Sequence, residues 1–257
     1  MSVCIKVDLF FLCFVLFSQQ LECACPNGFL EPTSGICMIL FDSKGTFCDS
    51  HALCESQGLS RGLRLFVPGK QVALIQKIAP SSAYVFTGLS KFLNLSADYK
   101  AGWRYADPGA ARAVTDTSDA SIPWSSGEPN NINGAVGTLI LNMLMDSWQF
   151  SMNSTHAVCQ LSNLAWDTSA DPFVMDWPYV MSYMFIQDRT NVGCFESYTV
   201  SMIADCCAIC KKRNTCRTFY FHKQTGQCWI SLYIDSLLPF NMSSLGGTWF
   251  RLSRPNW

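Results

Sequence analysis

The most hydrophobic stretch of the chain lies near its amino terminus. Nine consecutive apolar residues, Leu9–Phe17, follow Lys6 and precede a polar segment that ends at the small residues Cys23-Ala24. A bilayer-spanning helix needs about twenty apolar residues, so this run is too short to cross a membrane. The arrangement is typical of a secretory signal peptide, which we predict over residues 1–23; a buried hydrophobic helix is the alternative. No later stretch approaches spanning length, so we expect no membrane span in the mature chain.

Further along the chain, the pattern predicts both strands and helices. Arg217–Phe221 alternates between polar and apolar residues in the manner of a strand. Leu139–Met145, apolar apart from Asn142, is typical of a buried strand. Cys206 and Cys210 stand four residues apart, which places them on one face of a predicted helix. These elements indicate an α+β fold.

Composition and charge narrow the function classes. The 257 residues carry a formal net charge of −1 and are 49% hydrophobic. A near-neutral chain lacks the basic surface that a nucleic-acid-binding protein needs, and so many apolar residues argue against disorder. Fourteen cysteines indicate an oxidising compartment, and three histidines argue against a zinc-rich protein. We therefore predict a secreted glycoprotein, with Asn-x-Ser/Thr glycosylation sites at Asn94, Asn153 and Asn241.

The cysteines divide the mature chain into two parts. Three of the fourteen lie in the predicted signal peptide, which leaves eleven. They fall into two groups: Cys25, Cys37, Cys48, Cys54 and Cys159, then Cys194, Cys206, Cys207, Cys210, Cys216 and Cys228. Between the groups, residues 163–181 contain Pro172 and Pro178, and we expect a linker there. An odd total in a secreted protein indicates a free thiol or one that joins another chain.

The first part of the chain resembles a C-type lectin domain of the long form. The residues that carry the resemblance are Cys25-Pro-Asn-Gly-Phe29, Thr46-Phe47 before Cys54, Phe86-Thr-Gly-Leu89, Trp103, Trp124, Gly127-Glu-Pro-Asn130, Trp148 and Ala157-Val-Cys159-Gln-Leu161. Each match is weak alone, but their order and spacing are specific. The resemblance implies a C-type lectin-like fold over residues 24–162.

The same resemblance implies two disulfides, Cys25–Cys37 and Cys54–Cys159. The family's further inner bridge would fall near Thr138 and Asn153, where this sequence has no cysteine. Cys48 has no partner in the family pattern. It could face solvent and join a second chain as a disulfide-linked homodimer, or it could be a buried free thiol.

In the lectin family, the sugar is bound at a calcium ion. The resemblance implies Glu128 and Asn130 as carbohydrate-binding residues and as metal ligands. A third acidic ligand would fall at Val136, and two more would fall at Gln149 and Phe150, where Gln149 could replace an amide but Phe150 cannot replace a carboxylate. One negative charge therefore remains where the family has three, and calcium affinity depends strongly on that number. We expect calcium binding to be much weakened or absent.

The last part of the chain resembles a PAN/apple module, a helix on a small antiparallel sheet, over residues 182–253. The resemblance rests on the spacing Cys206-x3-Cys210-x5-Cys216-x11-Cys228. It implies the bridges Cys206–Cys228 and Cys210–Cys216. Cys194 and Cys207 are then left to pair with each other.

Three other motifs suggest chemistry that their context does not favour. Gly58-Leu-Ser60-Arg-Gly62 matches the turn that carries a serine nucleophile. That turn must precede a helix, whereas here the segment follows the predicted helix that contains Cys54. Cys207-Ala-Ile-Cys210 lacks a second pair at zinc spacing. Lys211-Lys-Arg213 suits the end of a helix, where cations complement the dipole; a heparin-like polyanion site is the alternative. We expect no enzyme.

The resulting prediction is a secreted recognition protein of two modules. It binds glycans or glycoproteins through a lectin-like domain with a degenerate calcium site. The alternative is a calcium-independent adaptor that binds proteins through the lectin-like and PAN/apple modules.

Overall fold

The computed structural model describes residues 24–91, 97–131, 133–149, 152–164, 172–178, 193–234 and 248–257. The predicted signal peptide and the residues Asn94, Phe150 and Asn241 lie outside the described residues. Within the described ranges, no helix is both long and apolar enough to cross a bilayer.

The first unit is an eight-stranded sheet with two helices. Its elements are β1 (Leu30–Thr33), β2 (Ile36–Gly45), α1 (Phe47–Leu59), β3 (Leu65–Phe66), α2 (Val72–Ile75), β4 (Tyr84–Ser90), β5 (Arg104–Tyr105), β6 (Val136–Ile140), β7 (Met143–Ser147) and β8 (Ser154–Leu161). The strand order is β1-β2-β8-β4-β6-β7, with β3 beside β8 and β5 beside β4. The pairs are antiparallel except β4 with β8, which is parallel. The second strand, β2, and the last strand, β8, are therefore neighbours.

Helix α1 begins and ends where local sequence signals place it. The side-chain oxygen of Thr46 accepts the backbone N–H of Asp49, and the Asp49 carboxylate accepts the backbone N–H of Thr46. This reciprocal capping box satisfies two backbone donors that a helix start leaves without partners. At the other end Ser60 is the C-cap, followed by Gly62 at φ +64°. The Gly-x-Ser-x-Gly segment therefore terminates a helix, as the sequence predicts, and does not begin one.

The apolar run 139–145 forms a hairpin and not the single buried strand that its pattern predicts. β6 and β7 pair in register from Val136↔Ser147 to Ile140↔Met143. The two turn residues, Leu141 and Asn142, have φ of 49° and 61°. A two-residue turn with positive φ matches the twist of antiparallel strands, and Asn tolerates that conformation well. The polar residue inside the apolar run therefore marks a reversal of the chain.

The second unit is a five-stranded antiparallel sheet with one helix. Its elements are β9 (Val174–Met175), β10 (Phe195–Thr199), α3 (Ile203–Lys212), β11 (Cys216–His222), β12 (Gln227–Leu232) and β13 (Trp249–Ser253), in the order β10-β12-β11-β13-β9. Two buried cysteines of α3 bind it to the sheet through Cys206–Cys228 and Cys210–Cys216. Strand β9 lies in the range 163–181 expected to be a linker, so that part of the range is an edge strand of this sheet.

The two units share one hydrophobic core. A single cluster of buried residues contains Phe47, Phe86 and Val136 from the first unit and Phe219 and Ile230 from the second. Burying apolar area across the contact stabilises it by roughly 25 cal/mol per Å². The two units therefore pack face to face.

The disulfides include one that connects the units. Four bridges have the pairings that the resemblances imply: Cys25–Cys37, Cys54–Cys159, Cys206–Cys228 and Cys210–Cys216. The fifth joins Cys48 in the first turn of α1 to Cys194 just before β10, with 5.3 Å between their Cα atoms. Cys207 is the free cysteine among the described residues.

Two predictions about the cysteines are therefore wrong. Cys194 does not pair with Cys207, and Cys48 bridges two units of one chain where a bond to a second chain or a free thiol was expected. Cys207 follows Cys206 directly, so it is rotated about 100° around α3 from the face that contacts the sheet. The expected pairing is wrong because it assigned disulfide partners only within each group of cysteines, and so treated the two units as separate.

Candidate functional site

The structure brings Glu128 and Asn130 together at the exposed turn that follows Trp124. The backbone N–H of Glu128 donates to the carbonyl oxygen of Ser125 at 2.9 Å, and the bond between Glu128 and Pro129 is cis. The side-chain amide of Asn130 donates to Oε1 of Glu128 at 2.7 Å. The two polar side chains lie side by side, with Asn130 exposed and Glu128 half-buried. We call residues 127–131 the recognition loop.

Asp146 on β7 anchors the recognition loop from beneath. Its carboxylate oxygens accept the backbone N–H groups of Asn130 and Asn131, each at 3.0 Å. Gly134 lies directly against it, because a Cβ at that position would approach Oδ2 of Asp146 to 2.0 Å. The conformation of the loop is therefore fixed by a buried carboxylate and by a close contact that only glycine allows.

Sequence reasoning did not assign Asp146 to the site. It is two residues before Trp148 and does not occupy a family ligand position. The signal that could have identified it is a carboxylate directly after the apolar run 139–145, since a charge that becomes buried must find donors or a counter-charge.

The recognition loop and Asp146 form a compact acidic site. Partial burial raises the pKa of Glu128, and the neighbouring Asp146 carboxylate raises it further. The Asn130 amide acts in the opposite direction because it donates to the ionised form. The loop thus presents a carboxylate and an amide together, which can accept from and donate to paired hydroxyl groups.

Two of the remaining calcium-ligand positions, Val136 and Gln149, are buried. Val136 is fully buried in the core shared by the two units. Gln149 is also buried, and its side-chain amide donates to the sulfur of Cys48 at 3.3 Å. Gln149 therefore supports the disulfide between the units, which corrects the expectation that it could replace an amide ligand. Phe150 lies outside the described residues.

The residues present do not fit a calcium ion. Calcium takes six to eight oxygen ligands, several of them carboxylates. Both oxygens of Asp146 accept backbone N–H groups, and the Asn130 amide is turned to Glu128. Among the residues that the structure describes, no group of three histidines, cysteines or acidic residues is placed to hold a metal ion.

A second polar cluster lies between the two units. We call it the seam, and it consists of His51, Glu55, Arg213, Thr215 and Tyr233. Glu55 accepts hydrogen bonds from both terminal nitrogens of Arg213, from Oγ1 of Thr215 at 3.2 Å and from the hydroxyl of Tyr233 at 2.7 Å. Burial and the Glu55 carboxylate raise the pKa of Tyr233. Each oxygen of the buried carboxylate therefore has donors from the other unit.

Arg213 belongs to the seam and not to a basic surface run. It is the C-cap of α3, and its Nε also donates to Glu196 at 3.1 Å. The two lysines before it, Lys211 and Lys212, are exposed at the end of the helix. Two of the three charges in the sequence run are therefore exposed, and the third is half-buried in an ion pair.

His51 is buried at the seam, where its ring stacks on Tyr233 with 5.1 Å between centroids. Burial lowers the pKa of His51 to about 3. The ring is therefore neutral at physiological pH and serves packing.

Of the three predicted glycosylation sites, Asn153 lies within the described residues. It is exposed immediately before β8. An exposed asparagine at this position is accessible to the glycosylation machinery.

Comparison with known proteins gives the following similarities. No protein-family model matches the sequence, and no curated protein matches it. Solved structures do match. The C-type lectin domain of murine dendritic cell inhibitory receptor 2, in complex with N-glycan, is 23% identical, covering 55% of this chain and 100% of that chain, with a TM-score of 0.39.

Two further structures show the range of the similarity. The C-type lectin CEL-I from Cucumaria echinata is 17% identical over 54% of this chain and 97% of its own, with a TM-score of 0.38. A calcium-independent type II antifreeze protein is 17% identical over 53% of this chain and 93% of its own, with a TM-score of 0.34. The solved structures that this chain matches thus include C-type lectin domains, and the match covers about half of the chain.

Proposed function

We propose that this chain is a secreted recognition protein that binds glycans through its recognition loop without a resident calcium ion. The observation that supports this most directly is the pairing of Glu128 with Asn130 on a loop that Asp146 holds in place. A carboxylate and an amide fixed side by side offer acceptors and a donor to neighbouring hydroxyl groups of a sugar. Because the loop is already anchored, binding does not have to order it first.

The same unit also has an exposed aromatic ring. Tyr99 is 39% exposed, and its ring centroid lies 5.6 Å from the ammonium of Lys91. A sugar has an apolar face as well as hydroxyl groups, and binding sites combine apolar surface with a few placed polar groups. Tyr99 is an exposed ring that can supply such a surface.

The compartment is part of the proposal. The five disulfides fit an oxidising environment outside the cytosol. The signal peptide, the PAN/apple nature of the second unit and the glycosylation of Asn153 are proposed on the sequence alone.

The decisive experiment is a glycan array probed with the full mature chain, once in EDTA and once in millimolar calcium. We expect the same set of glycans in both conditions. In a Glu128→Ala/Asn130→Ala variant the signal should fall at least tenfold, because hydrogen bonds to charged groups contribute about 1.5–3 kcal/mol each. Asp42→Ala, which removes an exposed carboxylate from β2, is the matched control and should bind normally. No bound glycan on a broad array would end the proposal, and binding only in calcium would refute its calcium-free part.

A second candidate is a calcium-independent adaptor that binds proteins. It is favoured by the tip of the β6–β7 hairpin, where Leu141 is 64% exposed and Met143 is 44% exposed. Leu141 also has φ of 49°, a conformation that side chains other than Asn, Asp and Gly seldom adopt. To test this candidate, proteins retained from the natural fluid by the chain would be compared with those retained by Leu141→Ser/Met143→Ser. A partner lost with the variant would support the adaptor, and identical retention would exclude this surface.

A further inference from the structure

A short segment beside the seam reaches from the second unit to the first. Residues 254–257 follow β13, and we call them the strap. The backbone N–H of Arg254 donates to the carbonyl oxygen of Arg217 at 2.9 Å, which holds the start of the strap on the second unit. At the other end, the carbonyl oxygen of Trp257 accepts the N–H of Gly109, in the first unit, at 2.8 Å. The strap therefore crosses the boundary between the units.

The Trp257 side chain is held by groups from both units and is only 6% exposed. Its indole N–H donates to the carbonyl oxygen of Asn214, the neighbour of the seam residue Arg213, at 3.0 Å. The guanidinium of Arg64, in the first unit, lies 5.1 Å from the ring centroid, and that of Arg217, in the second, lies 5.6 Å from it. A guanidinium within about 6 Å of an aromatic ring is attracted to its π electrons. We call this surrounding the ring site; it suits a planar aromatic ring with one N–H donor.

Contacts between the units follow α1 from its first turn to beyond its end. Cys48, in the first turn, forms the disulfide between the units. His51 and Glu55 make the seam contacts about one and two turns further along the helix. Arg64 comes after the helix, and the N–H of the residue before it donates to the carbonyl oxygen of Gly58 in the last turn. The covalent bond therefore lies at one end of this row of contacts, and the ring site lies at the other.

We propose that the strap is a releasable closure between the two units. Trp257 closes the boundary at the end of α1 by filling the ring site, and the Cys48–Cys194 bond keeps the units attached when Trp257 leaves. The contacts of the strap are mostly polar, and a cavity whose lining includes Trp257, Arg64 and Tyr233 lies beside the ring. Segments with few buried apolar contacts open at a lower free energy than a packed core. Because the disulfide tethers the units, closure is intramolecular and Trp257 stays at a high effective concentration near its site.

Amide hydrogen exchange on the full mature chain, without reductant, measures this opening directly. In Trp257→Gly, the amides of Gly109 and Arg254 should exchange at least tenfold faster than in the parent. The amide of Ser50, which donates to the carbonyl oxygen of Thr46 beside the disulfide, should keep its parental rate. Asn256→Gly is the matched control. It adds the same backbone freedom at an exposed neighbouring position but keeps the ring, so it should exchange at close to the parental rate.

Free indole tests the ring site, because it carries the same ring and the same N–H donor as Trp257. At millimolar concentration, indole should slow the exchange of Gly109 and Arg254 in Trp257→Gly at least threefold. It should leave the parent unchanged, since Trp257 already fills the site. Cyclohexanol, which has a ring of similar width but no π electrons, should not slow the exchange. No effect of indole, or an equal effect of cyclohexanol, would refute a site that recognises an aromatic ring.

The pattern of exchange decides whether the strap is a local closure. Unchanged rates at Gly109 and Arg254 in Trp257→Gly would overturn the proposal, as would an equal acceleration at Ser50, since the fold would then open as a whole. If Trp257→Gly does not fold, Trp257→Phe provides the same test, because it keeps a ring and loses only the N–H donor. Acceleration confined to the strap amides would support the proposal, and any other pattern would overturn it. A negative glycan array would leave this inference standing, since the ring site shares no residue with the recognition loop.

Discussion

The seam offers a sharp test of whether the two units form one body. The change is Arg213→Met, which removes the guanidinium but keeps much of the apolar length of the side chain. In the parent chain, Arg213 donates to Glu55 through both terminal nitrogens. The variant leaves a buried carboxylate that has lost its only ion-pair partner among the described residues. We therefore expect the contact between the units to weaken.

The magnitude follows from the burial of the pair. Removing one partner of a buried ion pair costs about 3–5 kcal/mol. Here the Glu55 side chain is 9% exposed but that of Arg213 is 32% exposed, so water partly screens the charge. Tyr233 and Thr215 continue to donate to Glu55 in the variant. We therefore expect the free energy of unfolding to fall by about 2–3 kcal/mol.

The assay is equilibrium unfolding in urea without reductant, followed by tryptophan fluorescence. Trp257 reports on the region directly, because its indole N–H donates to the carbonyl oxygen of Asn214, between Arg213 and Thr215, at 3.0 Å. Lys211→Met is the matched control: it removes a neighbouring exposed cation from the same helix end and should change stability by at most about 0.5 kcal/mol.

A double variant tests the physical reason. Glu55→Gln/Arg213→Met leaves no uncompensated charge and should recover part of the lost stability. The reasoning fails if Arg213→Met is no more destabilising than Lys211→Met. It also fails if Glu55→Gln lowers stability as much in the Arg213→Met background as it does in the parent chain. The two residues would then be energetically independent.

Three further predictions concern other parts of the chain. The first concerns His51, whose pKa is about 6.5 in the unfolded chain and about 3 in the folded chain. Between these two pH values the unfolded state binds more protons than the folded state. The free energy of unfolding should therefore fall by about 2 kcal/mol between pH 6.5 and pH 5. Urea melts across this range should show the decrease, and His51→Phe should lack that contribution. The second concerns the bridge between the units: a non-reducing gel should show a monomer, and peptide mapping should recover the Cys48–Cys194 disulfide. A dimer that disappears in Cys48→Ser would contradict this bridge. Asn153→Gln should remove one glycan from the secreted protein, and an unchanged intact mass would refute glycosylation at that site.

Features encoded by local spacing were predictable from the sequence. The strand around Arg217–Phe221 corresponds to β11, and Cys206 and Cys210 share the buried face of α3. The end of α1 at Gly58–Gly62 follows from glycines that permit a turn. In each case a few neighbouring residues determine the backbone conformation, so little tertiary information is needed.

The hairpin of β6 and β7 shows where local pattern is ambiguous. A run of apolar residues is compatible with one strand or with two strands buried on both faces. Only the pairing of Val136 with Ser147 and of Ile140 with Met143 identifies the turn between them. The single polar residue, Asn142, was the available signal, and it was interpreted as an interruption and not as a reversal.

The recognition loop was predicted in part. The family pattern identified Glu128 and Asn130, which the structure places in direct contact. It could not identify Asp146, because that residue occupies no family ligand position and acts as a buried hydrogen-bond acceptor. What a buried charge does depends on which donors and counter-charges surround it, and these come from segments far apart in sequence.

By itself, the sequence determined the two-part organisation, the ends of α1, the Glu-Pro-Asn turn and the short Cys25–Cys37 and Cys210–Cys216 loops, because neighbouring residues encode caps, periodicity and turns. The Cys54–Cys159 bridge, which spans 105 residues, was implied by the family resemblance and not by a local pattern. Only the tertiary structure decided that Cys48 bonds to Cys194, that Arg213 neutralises Glu55, and that Asp146 accepts two backbone N–H groups of the recognition loop. The partners of the first two contacts lie 146 and 158 residues apart. Contacts over such distances exist only where the packed core brings the segments together, and no local pattern specifies them.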